Sequence, residues 1–149
     1  MTTTHIRRLV VRPWTWVAFL GAGGVAVLLA AWATASPPTP PQGQRFGVDR
    51  LRIMRTAGGH LLDFRYRVVD PKLAAPLLTK AARGHVVDEK TGARLAVPDM
   101  PKAGPLRNTG VAHAGRTYFA LFNNPGGLVR RGDRVSVVLG ELTAQLTVE

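Results

Sequence analysis

The sequence predicts an all-β domain carried behind one N-terminal transmembrane helix. Three observations predict it. A twenty-residue apolar run, Trp14 to Ala33, contains no charged residue. Beyond Arg45 the apolar residues recur with a period of two, the spacing of half-buried strands. Clusters of Gly, Pro, Asn and Asp separate these short runs and read as turns.

Residues 1–13 form a basic N-terminal stretch with Arg7, Arg8 and Arg12. Residues 14–35 read as the anchor. The run is as long as a helix needs to cross ~30 Å of hydrocarbon. All three tryptophans of the protein lie at its ends, Trp14 and Trp16 on one side and Trp32 on the other. That placement suits interfacial anchors. Arginines on the N-terminal flank predict a cytoplasmic N-terminus and an exported main domain. A cleaved signal peptide is the competing reading, with Ala33-Thr34-Ala35 as the cleavage motif. The length of the run, and Pro37 and Pro38 after it, favour a retained anchor. Ala22, Ala26 and Ala30 at four-residue spacing could pack two helices, but a plain Ala/Gly-rich anchor is the preferred reading. Residues 36–44, Ser-Pro-Pro-Thr-Pro-Pro-Gln-Gly-Gln, form a proline-rich linker with no apolar face to bury.

Residues 45–149 are the expected folded domain. Val48, Leu51 and Ile53 suggest a first strand, and Ala57-Gly58-Gly59-His60 a turn. Leu62, Phe64, Tyr66 and Val68 alternate with Asp63, Arg65 and Arg67, so the second strand has a charged outer face. Asp70 before Pro71 is a helix N-cap pair. Leu73, Ala74, Leu77 and Leu78 then share a side, Pro76 interrupts, and Gly84 would close a short irregular helical insert. Val86-Val87 and Arg94 to Val97 flank the hairpin loop Asp88 to Gly92. The long loop Asp99 to Gly115 reads either as a contact surface or as a proline-stiffened crossover. Thr117 to Phe122, Val135 to Leu139 and Leu142 to Val148 complete about seven strands. Strands at this spacing argue an immunoglobulin-like β-sandwich.

Four segments carry a resemblance. They are Leu62 to Val68, Lys102 to Arg107, Tyr118 to Gly126, and Gly132-Asp133-Arg134-Val135. Together they resemble a family of uncharacterised bacterial single-pass membrane proteins with an exported immunoglobulin-like domain. The resemblance implies membrane attachment and export. The family has no assigned activity, so it implies no catalytic or cofactor-binding residues.

Chemistry is tested by inventory. The only serines are Ser36 and Ser136, and neither sits in a nucleophile elbow. Asp63 beside Arg65 and Arg67 reads as ion pairing on a solvated face, and Asp88 and Glu89 as turn residues. There are no cysteines, which removes thiolate sites and disulfides. His60, His85, His113, Met54 and Met100 are the residues copper would use, but none has close ligand spacing. No catalytic, cofactor or metal residue is therefore expected. Gly21 to Gly24 lies in the apolar run and is no phosphate loop. The chain carries a net +11, and the part beyond residue 35 holds seventeen basic and nine acidic residues. The basic residues are dispersed, so nucleic acid is not an expected partner.

The expectation is a membrane-anchored, non-enzymatic binding module that contacts another envelope protein. Its expected contact residues are Asp63, Arg65, Arg67, Lys102 and Arg107. A copper-handling accessory of a membrane redox enzyme and an electrostatic membrane-surface binder are the alternatives.

Overall fold

Alternation of buried and exposed residues builds the strands of this chain, and its breaks place the features that matter. The computed structural model describes residues 42–102 and 104–149. The basic stretch 1–13, the expected anchor 14–35 with Trp14, Trp16 and Trp32, and linker residues 36–41 lie outside the described residues. Among the described residues no helix is long and apolar enough to cross a membrane.

The described part is all-β. Its first residues are already packed, although the sequence assigns them to the linker. The Gln145 N–H donates to Gln42 Oε1 at 2.7 Å. Gln44–Phe46 forms a single 3-10 turn between Gly43 and Gly47, both left-handed. The Gly47 carbonyl accepts from the N–H groups of Val69 and Asp70, which ties this turn to the chain leaving the second strand.

Strand β1 (Val48–Thr56) and strand β2 (Leu61–Val68) form an antiparallel hairpin across the turn at Ala57–Gly59. In β1 the inward residues Val48 and Leu51 are three apart, an odd step that a flat strand cannot serve. The chain absorbs it with a bulge between Asp49 and Arg52. Arg50, inside the bulge, has φ +50°. In β2 the residues Leu62, Phe64, Tyr66 and Val68 are all buried, as the period of two predicts. Helix α1 (Pro71–Ala74) follows, with Asp70 Oδ1 accepting from the N–H groups of Lys72 and Leu73. A 3-10 turn, Ala75–Leu78, continues it, because Pro76 lacks the N–H that a longer α-helix needs. Two details differ from expectation. Leu73 is 49% exposed, since so short a helix buries only Ala74 of its residues. Gly84 is the first residue of the next strand instead of a helix stop.

Strands β3 (Gly84–Asp88) and β4 (Arg94–Ala96) form the expected second hairpin. The Asp88 carboxylate caps its turn by accepting from the Thr91 hydroxyl and from the N–H groups of Lys90 and Thr91. Two-residue strands β5 (Asp99–Met100) and β6 (Gly104–Pro105) make a small separate hairpin. Strand β7 (Thr117–Asn123) pairs with β2. Strands β8 (Arg134–Leu139) and β9 (Leu142–Thr147) close the domain.

Hydrogen bonding orders the strands as β1-β2-β7 in one sheet and β4-β3-β8-β9 in the other. The inward residues of both sheets, with Ala74, Leu77 and Leu78 of the helical insert, form one core cluster. Within it Phe64 packs tilted against Tyr66 and Tyr66 stacks on Tyr118, with ring centroids 5.6 and 6.0 Å apart. Burial of each such ring stabilises the fold by roughly 1.5–3 kcal/mol. The long loop is a structured crossover. Residues 106–108 run along the free edge of β7, with bonds between Leu121 N–H and Leu106 O and between Asn108 N–H and Phe119 O. Its far end is pinned by the Tyr118 hydroxyl, which donates to Val111 O and accepts from His113 N–H.

Candidate functional site

Strand register fixes which side chains share the outer face of the β1-β2-β7 sheet. Three rows cross it: Asp49, Arg67 and Thr117; then Arg52, Arg65 and Phe119; then Met54, Asp63 and Leu121. Without the bulge, Asp49 and Arg52 would lie on opposite faces, because three residues separate them. The bulge brings both outward.

Two adjoining clefts lie on this face and share Arg65. The first, of about 180 Å³, is lined by Arg50, Arg52, Arg65, Arg67 and Thr117. The second, of about 310 Å³, is lined by Thr56, Ala57, Leu61, Asp63, Arg65, Phe119 and Leu121. The face thus has a cationic half and a largely apolar half. Phe119 is exposed at its centre.

Two of the four arginines are already paired. Arg67 grips Asp49 with both fork nitrogens, Nε at 2.8 Å. That contact holds the Asp49 carboxyl below its ordinary range and raises Arg67. Arg65 Nε donates to Asp63 Oδ2 at 2.9 Å, which raises the Arg65 pKa. Among the described residues, Arg50 and Arg52 make no ion pair. The cleft therefore carries two arginines in excess of its carboxylates. Asp63 is only 6% exposed, although it points to the outer face, and its Oδ1 has no hydrogen-bond partner among the described residues. The solvated ion-pair face expected of Asp63, Arg65 and Arg67 is thus corrected in two respects: Asp63 is buried, and Arg67 pairs with Asp49.

The other expected contact residues separate. Lys102 is exposed in the turn of the β5–β6 hairpin and lines neither cleft. Arg107 is not a surface residue at all. It is 8% exposed, and its guanidinium donates to the backbone carbonyls of Leu77, Thr79 and Asn108. Burial pushes its pKa down. Its role is to tie the end of the helical insert to the β7 edge, because carbonyls at the end of a short helix need donors. Sequence reasoning missed Arg50, Arg52, Thr117 and Phe119. The odd spacing between Val48 and Leu51 was the available signal for the first two.

Among the described residues no three His, Asp or Glu side chains are grouped to hold a metal ion. The His85 Nε2 lies 3.0 Å from Arg94 Nη2. A guanidinium only donates, so this nitrogen accepts and its lone pair is engaged. Burial and the Arg94 charge both lower the His85 pKa. Asp88 is spent on its turn, and Glu89 on Ser136 and Arg134. The arrangement offers recognition of an anion and an apolar group side by side. In comparisons with known proteins, no family model, no curated protein and no solved structure matches the chain.

Proposed function

We propose that this chain is a membrane-anchored, non-enzymatic module that docks another envelope protein through the outer face of its β1-β2-β7 sheet. The anchor is the apolar run 14–35, with the described domain on the exported side of a bacterial cytoplasmic membrane. The fold is read as an immunoglobulin-like sandwich. Its strand order supports this: β1, β2 and β7 take the places of strands A, B and E, and β4, β3, β8 and β9 those of C′, C, F and G.

One observation carries the functional reading. A single exposed sheet face holds two adjoining clefts, cationic and apolar, around Arg65 and Phe119. Arg and aromatic side chains beside a desolvated apolar patch are the usual anchors of protein interfaces. The partner surface that fits this face is acidic and carries an apolar group.

The test is crosslinked capture from membranes by the full-length chain. Arg52→Glu with Phe119→Ala is expected to lose a partner that the wild type and Lys102→Glu both retain. Retention of every partner by the double variant removes this face from the function.

A further inference from the structure

The cationic half of the face carries a local conflict that a ligand would resolve. Like charges directly opposite each other across an antiparallel pair destabilise a sheet. Here Arg52 lies directly opposite Arg65. Beside them the bulge holds Arg50 at φ +50°, a left-handed conformation that costs about 1–2 kcal/mol for a residue other than glycine. Strained backbone and opposed charges on one cleft are the pattern expected where structure serves binding.

We propose that the cleft lined by Arg50, Arg52, Arg65, Arg67 and Thr117 is a binding site for a phosphate dianion, free or as a phosphomonoester headgroup. The charge balance selects this class. Asp49 and Asp63 each neutralise one arginine, which leaves an excess of two positive charges on Arg50 and Arg52. A phosphomonoester carries about −1.5 to −2 at neutral pH, whereas a single carboxylate carries −1. Guanidinium forks match tetrahedral oxyanions with paired donors, and Thr117, which also lines the cleft, carries a hydroxyl able to donate. The bulge is what makes the site, because it turns Arg52 to the same face as the Asp49–Arg67 pair.

This inference rests on the same sheet face as the docking reading, but it can stand or fall separately. The experiment uses the full-length chain in phosphatidylcholine nanodiscs, titrated with inorganic phosphate at constant ionic strength by calorimetry. Thermal unfolding is followed in parallel, since a ligand of the folded state raises its midpoint. The double variant Arg50→Gln/Arg52→Gln is expected to weaken phosphate binding by about tenfold or more, the loss of charge-assisted contacts. The control pair Arg130→Gln/Arg131→Gln removes the same charge from an exposed turn elsewhere and is expected to change affinity by less than about twofold. Nanodiscs that also contain phosphatidic acid separate the two sources. Weakened free-phosphate binding there assigns the site to a lipid headgroup, and unchanged binding assigns it to a soluble phosphate. Either result supports the site. Absence of phosphate binding in plain phosphatidylcholine nanodiscs, or equal loss in the control pair, overturns it. Retention of every protein partner by Arg52→Glu/Phe119→Ala, with phosphate binding by the wild type intact, overturns only the docking reading.

Discussion

Asn124 is fully buried, and its amide donates to Gly59 O and Val129 O and accepts from Val129 N–H. It fastens the turn after β7 to the β1–β2 turn. Arg107 does comparable work at the free edge of β7 through carbonyls alone. Both are polar groups that the core tolerates because their hydrogen bonds are made. Asp88 adds a titratable case. The Thr91 hydroxyl and two backbone N–H groups hold its carboxyl below the ordinary value of 3.8. A folded-state pKa below the unfolded one contributes stability in full above pH 3.8, lost as pH falls through and below that value. Asp88→Asn is therefore expected to flatten the acid side of the melting curve. The check is the melting-temperature difference between wild type and variant, measured from about pH 6 to about pH 2. A difference that stays constant with pH refutes the assignment.

At the scale of elements, the β1 bulge sets both the shape and the chemistry of the face. It lets Leu51 pack on the core while Asp49 and Arg52 both point outward. The conformation of Arg50 bears a cost that glycine would avoid. Arg50→Gly is expected to stabilise the domain by about 0.5–1 kcal/mol, the left-handed penalty less the added backbone entropy of glycine. Urea unfolding midpoints measure this, and a destabilised variant would show that the Arg50 side chain makes a net favourable contribution to the fold. Gly47 is the other backbone position that composition fixes. At φ +62°, an added Cβ would lie 2.5 Å from the Asp70 carbonyl oxygen, so the turn that starts the domain accepts only glycine.

For the molecule as a whole, charge is the dominant long-range property. Seventeen basic and nine acidic residues follow the apolar run, so the part beyond it carries a net charge of 17 − 9 = +8. Such a field attracts anionic surfaces without choosing among them, and in the proposed docking role the sheet face would supply the choice. Partner capture through that face is expected to weaken between about 50 and 300 mM salt, as exposed charge pairs are screened, yet to persist in part through the apolar half around Phe119. Capture measured across that salt range checks this. Complete loss by about 150 mM salt would leave only the electrostatic component.

The sequence by itself determined the strand pattern of the domain. Leu62, Phe64, Tyr66 and Val68 announce β2 through their period of two, and Asp70-Pro71 announces the helical insert. These are local properties of neighbouring residues, which is why they can be read without a fold. The candidate site was legible only in part. Arg65 and Arg67 were found on an outer face because alternation places them there. Arg52 and Phe119 were not, because cross-strand register decides that they flank Arg65. Arg107 looked like one more surface cation, and its burial depends on carbonyls of Leu77 and Thr79 some thirty residues away. Asp63 likewise looked solvated and is covered. Alternation assigns a face, but only packing between distant segments decides whether that face meets water, and only a backbone irregularity such as the bulge decides which charges share it.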